Sequence, residues 1–349
     1  MTARDSARPS GRPSGRPEGQ ATALAVVVIA MLTVIVVAVA LLLATIPRRA
    51  ESASIRAAHV SAGREVVDEF LEALAEDATP EADSRLDPAQ TRFADSQMVS
   101  ISDLSSRINL NFDQTFFLER SSLLPLLFGS EAQVSLLQEA RLTGGFRLYE
   151  GRGFEEVLLE DAPEDLVSPY SYGNVHASGE IELERLYAEV TEDPGAAATF
   201  RSRIQAARSE GEVFDEGDLL ALLTPHFDRV YPLINAFGRF NVHFADERVL
   251  EAVVTYPAFE IPNPQTVLGV LLGARDQGEM TPAVIRATLG VAEDNRALGF
   301  LGVRTWFWQL VYRDETHVSS ATIARVAGPT PGDDEFAVVG FETERVNEE

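Results

Sequence analysis

Apolar residues run from Ala21 to Ile46, 26 positions without a charged side chain. As a helix, such a run extends about 39 Å, enough to cross a bilayer with tilt. A secretory signal peptide has an apolar region of only about 7 to 15 residues, so the run reads as a retained anchor. Beyond Pro47 the pattern changes. Val60, Val67, Phe70, Leu71 and Leu74 recur at three-, four- and seven-residue spacing, with Arg64, Glu65, Asp68, Glu69 and Glu72 between them. This predicts an amphipathic helix that continues the span and ends near Asp77. Pro47 permits a kink between the halves.

Residues 78–89, rich in proline and acids, read as a linker. Extended segments are expected at Met98–Ile101 and Ile108–Phe112, with a turn over 102–107. From there to about Val303 the pattern is mostly helical, interrupted at Gly144–Gly145, at 151–153, at 168–179 and at 193–195. Three short helices carry start signals: Asp246 before Glu247–Val254, Asn263 with Pro264, and Thr281 with Pro282. The end of the chain turns to strand, at Gly302–Tyr312, Thr322–Val326 and Phe336–Phe341. On one strand Trp306 and Trp308 would share a face, turned toward the long helix or toward a partner.

Terminal strands commonly return to pair with early ones, so a small sheet split by a helical insertion is the expected architecture. An internal echo supports the insertion. Arg107-Ile108-Asn109-Leu110-Asn111-Phe112 matches Arg239-Phe240-Asn241-Val242-His243-Phe244 in register, 132 residues on. In each, extended backbone would send apolar side chains inward while asparagine amides tie down the loop entering the next helix.

Charge narrows the function classes. The 349 residues include 54 acids and 29 basic side chains, all arginine, for a net charge of −25. Six arginines stand against Asp5 and Glu18 in the first 50 residues, leaving 23 against 52 acids, or −29, in the body. Such a body repels phosphate, so no nucleic-acid partner is expected. Arg4, Arg8, Arg12 and Arg16 precede the span and only Arg48 and Arg49 follow it, favouring a cytoplasmic head and a body outside the cytoplasm. The absence of cysteine excludes disulfides and thiolate chemistry.

The five histidines form no HExxH pair, and no nucleophile elbow, phosphate loop or dinucleotide fingerprint is present. Acidic clusters at 160–165, at Asp215, Glu216 and Asp218, and at 333–335 lack EF-hand spacing and read as solvated surface. With 54 acids, chance carboxylate pairs are expected, and none is singled out for glycoside hydrolysis.

Taken in order, the basic leader, apolar helix, INLN segment, helical insertion, second N-x-[N/H] segment and terminal strands resemble the type II secretion system protein K family. These are the large minor pseudopilins, also called general secretion pathway protein K. The matching residues are Ile101-Ser102-Asp103 through Arg107-Ile108-Asn109-Leu110-Asn111, and Phe240-Asn241-Val242-His243 with Val249 and Leu250. Ala274-Arg275 and Val303–Phe307 also fall where the family places them.

The resemblance implies an α+β fold with a pilin-like long N-terminal helix packed on a small antiparallel sheet, and a large all-helical insertion. The expected parts are a leader over 1–19, the helix over 20–77, the first part of the β domain over 78–112, the insertion over 113–300, and terminal strands over 301–349. It implies cleavage after Gly19 by prepilin peptidase, Gln20 as the methylated first residue, and Asn109, Asn111, Asn241 and His243 as structural motif residues. No catalytic residue is implied. Glu18 stands where the family has a basic residue, and Leu24 where major pseudopilins have a glutamate. In a pseudopilus that glutamate neutralises the amino terminus of the subunit above, which a tip subunit has no need to do.

The implied role is to initiate or cap the pseudopilus in support of export across the outer membrane. The implied partners are minor pseudopilins of the I and J types, the major pseudopilin, prepilin peptidase and the inner-membrane secretion platform. The chain would be single-pass in the inner membrane, its body in the periplasm. Family members bind calcium, and no ligand is assigned here. Two alternatives are a helix-hairpin-helix-like nucleic-acid-binding envelope protein, which the bundle after Asn241 resembles, and a membrane-anchored carboxylate hydrolase.

Overall fold

A computed structural model describes residues 18–77, 82–143, 154–211, 214–278, 280–326 and 334–346. The leader through residue 17, the interruptions at 144–145 and 151–153, and positions 78–81 of the linker lie outside the described residues. The chain divides into two compact units, 1–59 and 60–349.

Helix α1, Glu18–Ala75, runs without a break through Pro47 and ends two residues before the expected Asp77. Gly19 and Gln20 fall in its first turn. In the first unit, every side chain described between Val27 and Val39 is exposed. Among the described residues no helix is long and apolar enough to cross a membrane. Within the apolar run, that description of side chains covers 27–39, roughly 20 Å of helix.

In the second unit the remaining turns of α1 are followed by α2 (Pro88–Thr91), β1 (Val99–Asp103), α3 (Thr115–Arg120) and α4 (Glu131–Thr143). Next come β2 (Gly173–Asn174), α5 (Glu180–Thr191), α6 (Pro194–Glu210), α7 (Glu216–Leu223), α8 (Phe227–Val230), β3 (Ile234–Asn235) and β4 (Phe240–Asn241). The chain continues through α9 (Glu247–Val254), α10 (Pro264–Gln277), α11 (Pro282–Leu289), α12 (Ala297–Phe300) and β5 (Leu301–Gly302). It closes with β6 (Phe307–Arg313), β7 (His317–Val326) and β8 (Glu335–Arg345).

The main sheet is antiparallel throughout, in the order β1-β6-β7-β8, so one strand precedes the long helical stretch and three follow it. The fold is therefore α+β. Register places Ile101 opposite Leu310, and Trp308 opposite Ile323. One face meets α1, whose Val67, Phe70, Ala73 and Leu74 pack with Trp308, Leu310, Ala321 and Ile323. Phe70 meets Trp308 edge-on at 6.3 Å. Gly63 lets the helix come close, because a Cβ there would stand 3.2 Å from the Ser319 Cβ.

Trp306 and Trp308 do not share a face as expected. Trp306 lies ahead of β6, where the chain has not yet taken up strand alternation, and packs with Tyr172, Phe307 and Ala324 in a separate cluster. Tyr172 meets its ring edge-on at 5.6 Å.

The helical stretch is built on parallel bridges that the sequence reading did not anticipate. Ile108 pairs with Val167, Gly173 with Ile234, and Phe240 with Leu301, each pair parallel. In each case the closing residue lies six positions before the next opening one: Val167 before Gly173, Ile234 before Phe240, and Leu301 before Phe307. Three successive segments thus open with a turn, run through helices, return beside their own start and pass to the next. Ile108–Phe112 is not a strand, which corrects the expectation. Its alternation comes from asparagines turned inward to bond backbone, with one bridge at Ile108. The start signals at Asp246 and Thr281 do cap α9 and α11, accepting from Arg248 N and Val284 N.

Candidate functional site

The motif residues lie at the openings of these segments, all buried. Asn109 Oδ1 accepts from the Asn111 N–H at 2.7 Å, and Asn241 Oδ1 accepts from the His243 N–H at 3.0 Å. A third copy was missed: Asn174 Oδ1 accepts from the His176 and Ala177 N–H groups at 2.9 and 3.0 Å. Asn174-Val175-His176 repeats Asn241-Val242-His243 letter for letter, the signal that could have found it. After each turn a backbone bond from position i+4 closes on the asparagine carbonyl: Asp113 N to Asn109 O, Ser178 N to Asn174 O, and Ala245 N to Asn241 O. Helices α3, α5 and α9 then begin two residues later.

The side-chain amides reach across the fold. Asn109 Nδ2 donates to Pro169 O and Ser171 Oγ, Asn174 Nδ2 to Asn235 Oδ1, and Asn241 Nδ2 to Asp83 O and Thr305 Oγ1. Burying an amide is costly unless all its groups are bonded, which explains why these positions hold asparagine.

Asn109 and Asn241 are brought to one buried polar junction; Gly19 and Gln20 belong to the other compact unit. At its centre Asp103 accepts from Ser105 N–H and Oγ–H, from Ser106 N–H and Oγ–H, and from Thr305 Oγ1–H. Burial nonetheless pushes the Asp103 carboxyl above the usual range. Arg239 donates from Nε to Asp113 Oδ1 at 2.9 Å and from Nη2 to Arg107 O at 2.7 Å; its Nη1 also donates to Ser105 O. Asp113 Oδ2 accepts from Asn109 N–H in turn. The aligned arginines of the echo therefore differ, Arg239 being buried and Arg107 giving its carbonyl.

A second ion pair stands beside this one. Arg325 donates to both Asp83 oxygens, at 2.7 and 3.0 Å, and Asp83 also accepts from Thr305 N–H at 2.7 Å. Burial is the dominant influence on Asp83 and raises its pKa to about 7 against the pull of Arg325. Arg304 donates to Asp334, which lies 3.6 Å from Arg325 Nε. Asp334 was expected in a solvated acidic cluster and is instead half-buried, its carboxylate turned in between two arginines. Asp215 and Asp218, also expected at the surface, are exposed and cap each other at the start of α7.

Asp77, Asp83 and Asp87 bring carboxylate oxygens within 4.8 Å of one another, the one such group among the described residues. Asp83 is committed to Arg325, and Asp87 accepts from Ser84 N–H and Oγ–H. His243 lies buried with Nε2 3.3 Å from Met280 O, and burial lowers its pKa. The junction joins segments from residue 83 to residue 334 through fixed hydrogen bonds. Its hydroxyls are bonded to carboxylate and backbone rather than to a base, which suits holding the sheet to the helical segments. No protein-family profile matches the chain, and no curated protein matches it.

Proposed function

We propose that the chain is a minor pseudopilin of the type II secretion protein K kind, a non-enzymatic subunit that initiates or caps the pseudopilus. The observation that carries this reading is a single helix of two characters. Between residues 27 and 39 α1 offers exposed apolar side chains, and from Val67 to Leu74 it buries a stripe against an antiparallel sheet. An uninterrupted apolar helix end is suited to a bilayer and to packing among like helices. Placing the helical segments between β1 and β6 supports the resemblance drawn from the INLN and N-x-[N/H] residues.

On this reading residues 21–46 span the inner membrane, the body lies in the periplasm, and the partners are I- and J-type minor pseudopilins and the major pseudopilin. Leu24 fits a subunit with no neighbour above it. The test is intact mass and amino-terminal sequencing of the protein extracted from native membranes. A methylated chain starting at Gln20 is expected; retention of residues 1–19 with no co-purifying pilin-like protein would overturn the reading.

A further inference from the structure

A cleft of about 450 Å³ opens in the helical region at the start of α5, bounded by α6, residues 114–116 and Arg296. Arg201, Arg208 and Arg296 line it, against Glu180 and Glu182. An excess of base is contrary to a body holding 52 acids and 23 arginines. Most of these charges are already engaged. Arg201 pairs with Glu184 at 2.9 Å, Glu182 lies 3.5 Å from Arg141, and Arg208 is 3.4 Å from Glu180 while donating to the carbonyls of Val175 and Ser178.

Arg296 is the exception. It is half-buried and makes one long hydrogen bond, 3.5 Å, to Gln114 Oε1. Burial lowers its pKa, and its charge in turn works with burial to bring Arg208 down to about 10. The neighbouring Tyr256 ring meets Phe116 of the cleft edge-on at 6.2 Å, feels the charges of Arg120, which lies 4.0 Å over the Phe116 ring, and of Arg296, and carries a buried hydroxyl with no partner among the described residues. The rest of the wall supplies amides, Gln138 and Gln205, and an apolar side in Phe116 and Leu142, both exposed.

The complement of this wall is one anionic group against Arg296, an amide for the glutamines, and an apolar group against Phe116 and Leu142. Among the lining side chains Glu180 and Glu182 leave an excess of about one positive charge, which a single carboxylate balances better than a phosphate dianion. We infer that this cleft receives the free carboxyl end of a peptide whose last side chain is apolar. The site lies wholly within the body and does not depend on the pseudopilin reading.

The test is calorimetric titration of the full chain in detergent with acetyl-Gly-Leu, with its carboxamide, and with inorganic phosphate. Saturable binding of the acid is expected, weakened at least about tenfold by amidation, the loss implied by one charge-assisted contact. Arg296→Gln should weaken it similarly. Gln138→Glu, at an exposed position of the wall, should do the same without touching the core, with thermal unfolding as in the parent chain. Equal affinity for the carboxamide, displacement by phosphate at equal concentration, or no binding of the acid would overturn the proposal.

Discussion

His176 offers a pH test whose size follows from its surroundings. It is 3% exposed, its Nε2–H donates to the Phe214 carbonyl at 3.0 Å, and its backbone N–H is held by Asn174. Burial brings its pKa from 6.5 down to about 4, with the Arg208 and Arg296 charges adding to the effect. Unfolded, the ring takes its proton near 6.5; folded, it resists until about 4. Between those values the unfolded chain holds more protons, so stability is fully present above 6.5 and is lost as pH falls toward 4. The difference of about 2.5 pKa units corresponds to about 3 kcal/mol.

Asp83 works in the opposite sense. Its raised pKa of about 7 means that protonation favours the folded chain as pH falls from 7 toward 3.8. The whole-protein profile mixes both, so the informative quantity is the gap between the parent chain and His176→Gln, whose amide can donate to Phe214 O and does not titrate. Guanidinium unfolding of the full chain in detergent, followed from about pH 7.5 to about pH 4.5, should show the gap shrink by roughly 2–3 kcal/mol. A gap constant to within about 0.5 kcal/mol, or an NMR titration of His176 near 6.5, would refute the reasoning.

Two further outcomes are expected. Gly238→Ala would set a Cβ 2.2 Å from the Leu301 carbonyl oxygen and 2.4 Å from the Gly302 Cα, where only backbone could yield. It should cost about 3 kcal/mol or more, and an unchanged melting temperature would contradict the close approach of β4 and β5. Asp83→Ala should cost about 3–5 kcal/mol by taking from the buried Arg325 the carboxylate it meets at 2.7 and 3.0 Å, and adding Arg325→Met should restore most of the loss in chemical denaturation.

What the sequence disclosed and what it hid follow from how far apart partners lie. The stripe Val67, Phe70 and Leu74 was legible because a helix repeats its buried face locally. The terminal strands and the caps at Asp246 and Thr281 were legible for the same reason. Ile108–Phe112 was misread because inward asparagines alternating with apolar side chains imitate a strand. The Asn174 turn escaped because Gly173 replaces the apolar residue before the asparagine and no arginine precedes it, although the next three letters repeat. Asp83 read as linker and Asp334 as solvated surface because acid-rich stretches are usually one or the other. Arg325, which pairs with Asp83, is 242 residues away, a separation at which no periodicity can announce a contact.

The three parallel bridges give the region between β1 and β6 a modular length. Each segment closes beside its own beginning, at Val167, Ile234 and Leu301, and hands on after the same six-residue step. A change in the number of segments would therefore leave the entry from β1 and the exit into β6 in equivalent surroundings. The size of this part of the molecule can be altered by whole steps while the sheet under α1 keeps its register. A tandem duplication would supply such a step in one genetic event, and the asparagine turns of this chain do recur at intervals of 65 and 67 residues.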